Sequence, residues 1–294
     1  DDQSTDDSIN IIQSYRDGRI KLISTPRNIG RAGADNYAIQ FAKGEYIAKM
    51  DADDISMPNR LEQQVSFLDE NRDINVVGAW SKNFGASKYL NKYPVDPETA
   101  KCMILCSLPV SNPSIMMRRE LFDGGCRYDE HYRQSEDYDF FARYVRLLRI
   151  RTIPKALIKY RMYLSENKTH VLQDRKDSTA SIQKALFKQW GLPFTNDDIN
   201  LHTHVSYYDA AATEELLGRI HSWLLKILKH NQKKPWFQQV YLERFLAEKW
   251  FDVCYNLKPK KCQTRKIFNT SNLSRKINLS LMSKTKHMFR DVLD

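Results

Sequence analysis

The run Glu45-Tyr46-Ile47-Ala48-Lys49-Met50 leads directly into Asp51-Ala52-Asp53-Asp54, and no other junction in the chain constrains the fold as much. A mainly apolar segment ended by three carboxylates in four residues reads as a buried strand with charge at its C-terminal end. In open α/β sheets that end is where ligands bind. Oxygen ligands so closely spaced suit a hard divalent cation such as Mg²⁺ or Mn²⁺. The same residues also suit a solvated acidic turn before the helix that Pro58 opens, because Asp and Asn are common at turns and N-caps. The local sequence leaves both readings open.

The flanking pattern is that of an α/β domain. A helix is expected over Ser8–Tyr15, a short strand over Arg19–Ser24, and a helix over Ala32–Lys43 closed by Gly44. Past the carboxylates, Pro58 starts a helix with Leu61, Val65 and Leu68 on its buried face, and Ile74–Trp80 reads as a central strand. Lys88–Asp96 reads as a loop or edge, Thr99–Leu108 as a helix and Ile115–Met117 as a strand. A helix from Glu136 to Leu148 and two strands, Ile150–Ile153 and Ala156–Met162, follow. Alternating helices and apolar strands predict a mostly parallel sheet covered by helices. From residue 171 the pattern is helical only, with segments at Ser178–Trp190, Thr213–Lys229 and Trp236–Cys254, which reads as a helical appendage over 171–254.

Charge separates a third region. Lys and Arg against Asp and Glu number 25 and 24 in residues 1–170, 11 and 10 in 171–254, and 10 and 2 in 255–294. The net +10 therefore sits almost wholly in the last segment. Interspersed with Ile267, Phe268, Leu273, Ile277 and Leu281, it reads either as an amphipathic segment for an anionic membrane surface or as a loose basic end. No run approaches the ~18 consecutive apolar residues of a spanning helix. The five scattered cysteines read as reduced thiols of a cytosolic-type protein. Cys102 and Cys106 are one helical turn apart, where core packing is favoured over a shared metal.

Several stretches, in order, resemble family 2 glycosyltransferases of the GT-A fold over residues 1–170. Asp1-Asp2-Gln3-Ser4-Thr5-Asp6 resembles the family's Asp-Asp-Gly-Ser-Thr-Asp, and Asn28-Ile29-Gly30, Asn36 and Lys43–Ile47 resemble its next helix and strand. Asp51-Ala52-Asp53-Asp54 resembles its Asp-X-Asp signature. Asn112-Pro113-Ser114, Met117-Arg118-Arg119, Gly125 and Tyr128-Asp129-Glu130 resemble its acceptor side, and Glu136-Asp137-Tyr138-Asp139 its Glu-Asp motif.

The resemblance implies an inverting, metal-assisted transfer of one sugar from a nucleotide-diphosphate sugar, a UDP-sugar first, to a glycan or lipid-linked acceptor. Asp53 is implied as ligand of Mn²⁺ or Mg²⁺. Asp51, Ala52, Asn36, Arg31 and Asp2 are implied on the nucleotide-sugar side, Asp2 at the base. Asp137 is implied as the base that deprotonates the acceptor, with Glu136 orienting it. Glu136, Asp137 and Asp139 crowd together in sequence, and mutual repulsion would raise a carboxylate pKa. The enzyme is expected in the cytoplasm, peripheral to the inner membrane face, with no nucleic-acid partner.

Two departures from the family stand out. Its members carry a strand, a helix and a second strand before the position of Asp1, so this sequence is expected to be part of a longer chain. Where many relatives place a His near the metal, this chain has Tyr163, with His170 nearby. The Gln-X-X-Arg-Trp signature of processive synthases is not found, which favours single additions. A nucleotidyltransferase of similar architecture and a non-catalytic basic adaptor for membrane or nucleic acid are the competing readings.

Overall fold

The computed structural model describes residues 1–163, 168–259 and 264–276. In chain order the elements are α1 (Ser8–Ser14), α2 (Gly30–Ile39), β1 (Tyr46–Ala48), β2 (Ile55–Ser56), α3 (Arg60–Glu70), β3 (Val76–Gly85), β4 (Leu90–Asn91), α4 (Pro97–Met103), β5 (Met116–Arg118), α5 (Glu120–Asp123), α6 (Glu136–Arg143) and β6 (Ile150–Met162). They are followed by α7 (Lys168–Trp190), α8 (Asn196–Tyr207), β7 (Ala211–Ala212), α9 (Glu214–Lys233), α10 (Gln239–Asn256), β8 (Lys258–Pro259) and α11 (Thr264–Thr270). Contacts divide the chain into two compact units, Asp1–Tyr93 with Val110–Ser178, and Pro94–Pro109 with Thr179–Asp294.

The first unit holds a mixed sheet in the order β1-β5-β3-β6-β2, with β4 on the far part of β3. Its long ladder, β3 with β6, is parallel; the short pairings are antiparallel. This is the α/β sheet flanked by helices expected from the sequence. The two strands expected at 150–153 and 156–162 are one strand. The register shifts where Pro154 and Lys155 fall between Ile153, paired to Ala79, and Ala156, paired to Trp80. A proline has no N–H for the ladder, so a bulge is where a strand accommodates it.

Leu68, Ile74, Val77, Ala79, Met116, Ile153 and Leu157 form the core under this sheet. Leu61, expected inside, is 53% exposed, and the buried face of α3 is instead Arg60, Gln64 and Leu68. The two polar residues are inside because they serve the backbone. Arg60 donates to Gln64 Oε1 at 2.9 Å, to the Lys49 carbonyl at 2.7 Å and to the Ile115 carbonyl at 3.2 Å. Gln64 donates to Ser114 O at 2.7 Å. Arg118 is also buried and donates to the carbonyls of Ile74 and Leu68, at 2.9 and 2.6 Å, so it caps the end of α3.

The segment 19–24 is not a strand. Ile23 O accepts from the Asp1 amino group at 2.7 Å and the Thr25 N–H donates to Asp1 O at 2.9 Å, too little to make a ladder. Helix α2 begins at Gly30 and stops at Ile39, and Gly44 does not adopt the positive φ of a helix-ending glycine.

The second unit is helical, with the short pair β7 and β8. Helix α8, which periodicity alone did not reveal, begins in a reciprocal capping box between Thr195 and Asp198. Cys102 and Cys106 are buried free thiols here, raised by burial to about 12 and about 11, as core packing requires. Phe268 and Leu273, counted above in the amphipathic tail, are buried, with Phe268 edge-on to Phe251 at 5.4 Å. They are core residues, not a membrane-facing stripe. Residues 277–294, Cys262 and the His170 side chain lie outside the described residues. Among the described residues no helix is long and apolar enough to cross a membrane.

Replacing Arg60 with Leu strips Gln64 Oε1 and Lys49 O of their donor, while Ile115 O keeps the Lys49 N–H at 3.0 Å. Leaving buried acceptors unpaired costs about 1–3 kcal/mol each before relaxation. Arg60→Leu is expected to lower the unfolding free energy by roughly 3 kcal/mol, read as a lower urea midpoint.

Candidate active site

The three carboxylates after β1 are gathered by a tight turn in which the Asp54 N–H donates to Asp51 O at 3.2 Å. One oxygen from each of Asp51, Asp53 and Asp54 lies within 4.8 Å of the others. The turn is tied to β6: the Arg161 N–H donates to Asp54 Oδ1 at 2.8 Å and its Nε to Asp53 O at 2.7 Å, while its guanidinium lies 4.5 Å over Phe84. Asp54 is therefore an anchor and not a helix cap; the N-cap of α3 is Asn59. Its other oxygen, Oδ2, is buried with no partner. Burial raises the pKa of both Asp51 and Asp54. Ala52 and Asp53 are exposed at the tip of the turn. Tyr163, standing where relatives were expected to carry His, hydrogen-bonds Asp53 and is raised by desolvation and by that contact.

A second acidic group opens α6. Ser135, at its N-cap, holds φ +72°, a left-handed conformation that costs energy for a residue with a Cβ and collects at functional sites. Glu136 is 1% exposed; its Oε1 accepts from Arg31 Nη1 at 3.4 Å and its Oε2 is buried without a partner. Asp137 Oδ1 accepts from the Tyr138 N–H at 2.7 Å. Burial lifts both carboxylates above their ordinary values, with Asp137 adding to the rise on Glu136. Asp139 does not join them. It is ion-paired to Arg143 one turn on, so the crowding expected of three acids is confined to two.

Both groups act electrostatically on Arg31, which Glu136 contacts at 3.4 Å. Its guanidinium is held charged, against desolvation, by Glu136, Asp51 and Asp137 together. A second cation, Lys49, was not singled out from sequence. Its side chain is 8% exposed, its Nζ is ion-paired to Asp35 on α2 and lies 5.0 Å from the centre of the Tyr128 ring, and it lowers the pKa of Asp51, Glu136 and Asp137. A lysine near the end of a mainly apolar run, two residues before the first carboxylate, was the available signal.

Asp2 and Asn36 each hold part of the surrounding backbone. The Asp2 carboxylate accepts from Thr25 Oγ1 at 2.8 Å, the Ile29 N–H at 2.9 Å and the Gly30 N–H at 2.8 Å. Burial opposes its charge, but these donors lower its pKa. Its oxygens thus organise the start of α2, where a negative charge is favoured. The Asn36 amide donates to Tyr128 O at 2.9 Å and accepts from the Tyr128 N–H at 3.0 Å, fastening that loop.

Residues 1–124 match the sequence model of Glycosyl transferase family 2. This stretch is a family 2 glycosyltransferase domain. The chain is 35% identical over 170 residues to an uncharacterized glycosyltransferase of Methanocaldococcus jannaschii, covering 53% of this chain and 56% of that one. A shorter stretch of 71 residues is 41% identical to WfgD of Escherichia coli, named a UDP-Glc:α-D-GlcNAc-diphosphoundecaprenol β-1,3-glucosyltransferase, covering 24% and 28% of the two chains. The chain thus spans little more than half the length of the first of these relatives and less of the second. Among solved structures, TarS of S. aureus in complex with UDP superposes with a TM-score of 0.52 at 17% identity, over 86% of this chain and 78% of that one, which establishes the GT-A fold.

In the family 2 domain the Asp51–Asp54 turn is chemically suited to a divalent cation. It offers hard oxygens, a buried acceptor lacking a donor, and carboxylates crowded enough to gain from added positive charge. In calorimetric titration with Mn²⁺, Asp53→Ala and Asp51→Ala are each expected to weaken binding about tenfold or more.

Proposed function

We propose that this chain transfers one sugar from a nucleotide-diphosphate sugar to a hydroxyl of a glycan or lipid-linked acceptor, with inversion. The observation that supports it most is that Arg31, in contact with Glu136 at 3.4 Å, also feels the charge of Asp51 and Asp137, so two acidic groups far apart in sequence act on one guanidinium. A transfer reaction needs this division of labour: one end of the site manages a leaving diphosphate, the other an incoming hydroxyl.

Asp53, with Asp51, would hold Mn²⁺ or Mg²⁺; the ion, when bound, supplies Lewis-acid stabilisation of the departing diphosphate. Arg31 presents a guanidinium suited to phosphate oxygens on the same side. Asp137 takes the proton of the acceptor hydroxyl as its oxygen bonds to the anomeric carbon and the bond to the diphosphate breaks. Displacement from the opposite face inverts that carbon. Glu136 orients the acceptor or Asp137. A carboxylate raised by burial is a stronger base than one in water, provided it is ionised at working pH. Asp2 and Asn36 support the nucleotide side by fixing the start of α2 and the Tyr128 loop.

The donor we favour carries UDP and the acceptor a lipid diphosphate, the substrates named for WfgD. A lipid-linked acceptor would place the enzyme at the cytoplasmic face of a membrane, where the basic residues of 255–294 would meet anionic headgroups. We assign the catalytic work to residues 1–170, with 171–254 as a helical appendage.

With a UDP-sugar panel and Mn²⁺, Asp137→Asn is expected to reduce kcat by about 10²–10⁴ while donor binding persists. Full activity in that variant would overturn the assignment. Lys49 lowers the pKa of Asp137, so its removal raises that pKa and protonates the base at higher pH. Lys49→Met is therefore expected to move the acid limb of kcat/KM upward by roughly one pH unit, and Lys49→Arg to leave it near its original position.

A further inference from the structure

The helical unit carries a cavity that the transfer reaction does not use. It has a volume of about 630 Å³, within the roughly 300–1,000 Å³ of small-ligand sites, and it lies at the turn between α9 and α10 beside the first turn of α4. Trp236 gives it an aromatic wall, with Phe237 buried behind it under the Lys101 ammonium at 5.8 Å; Gln232 and Gln238 add exposed amides, and Glu98 and Lys101 one charge of each sign.

The turn is preorganised. Asn231, 1% exposed, uses its whole side chain on it: Oδ1 accepts from the N–H groups of Trp236 and Phe237 at 3.0 and 3.1 Å, and Nδ2 donates to Phe237 O and Gln239 Oε1, each at 2.9 Å. Beneath it, Trp190 is stacked on Trp236 with centroids 6.0 Å apart and edge-on to Phe237 at 5.0 Å, and its indole N–H donates to Lys234 O at 2.9 Å. Trp236, half-buried, is therefore held as a fixed plate rather than a swinging side chain.

A fixed indole plate, amides that both donate and accept, and no excess of charge suit a ligand with apolar C–H faces, many hydroxyls and no net charge. A nucleotide or a lipid phosphate would want a surplus of cations, and an apolar helix would leave the amides unpaired. We propose that this cavity binds neutral sugar residues of a glycan, as a second carbohydrate site apart from the transfer centre. It stands whether or not the transfer assignment does.

The test is saturation-transfer difference NMR on the whole chain, with cellotetraose and chitotetraose as probes and no donor present. Ring C–H signals of at least one probe are expected to gain saturation from the protein. Gln232→Ala and Gln238→Ala, at exposed positions, are expected to weaken that binding about tenfold together. Trp236→Ala is expected to abolish it, and Trp236→Phe, which keeps an aromatic plate, to retain part of it. Arg31→Trp, which puts a bulky ring beside Glu136 in the transfer centre, is expected to bind the probes as the wild type does, which separates this site from that centre. Lack of saturation transfer to either probe, unchanged binding in the glutamine double variant, or loss of binding in Arg31→Trp would each overturn the proposal.

Discussion

A buried ammonium holds the acidic site together. Lys49 leaves the end of β1 with its Nζ almost wholly out of water, a position that a charge tolerates only when paired. Asp35 supplies the direct pair, from α2; the face of Tyr128 supplies a second, weaker attraction, from the loop before α6. Three further carboxylates, Asp51, Glu136 and Asp137, feel the same charge. Desolvation alone would drive all three toward their neutral forms, and in that form none could act as a ligand or a base. Lys49 and Arg31 keep burial from going that far, while burial keeps the carboxylates basic.

This cation is itself positioned by polar residues deeper in the unit. Arg60 donates to the carbonyl of Lys49 and to that of Ile115, on the neighbouring segment, and Gln64 reaches Ser114 O. Burial pushes the Arg60 guanidinium down to about 10, still far above neutrality, so it remains a donor. The backbone that leads into Asp51 is thus pinned from below by a side chain that has no place in a simple hydrophobic pattern. On the other flank Arg161 does the same for Asp53 and Asp54 through β6. The acidic turn is held from two elements far apart in sequence.

What the sequence revealed, and what it did not, follows from the range of each interaction. The strand into Asp51, the helix from Glu136 and the alternation around them are local patterns, and they are present. For Asp2 and Asn36, implied on the nucleotide side, a motif names residue types but not the directions of their lone pairs. Asp2 is occupied by Thr25, Ile29 and Gly30, and Asn36 by Tyr128, contacts that only the folded chain creates. Leu61 is expected on the buried face, and Arg60 goes unnamed there, because periodicity ranks residues by apolarity. Here the inner face of α3 meets unpaired carbonyls, which an arginine and a glutamine satisfy and a leucine does not.

The carboxylates of α6 show the same limit at the scale of one helical turn. Glu136, Asp137 and Asp139 look like one cluster when read along the chain. Residues in an α-helix turn by about 100° each, so Asp139 stands about 200° from Asp137 but within about 60° of Glu136, and helix geometry alone does not take it out of the group. It meets Arg143 one turn later, at the i, i+4 spacing that pairs an acid with a following base. Glu136 and Asp137 remain on the side of Arg31. Which face they present is set by the entry to the helix, and Ser135 enters it in a left-handed conformation. A residue that prefers right-handed backbone keeps that φ only where the surrounding structure over-determines it. The strain thus lies one residue before the two carboxylates whose direction decides whether they share one site with the acidic turn.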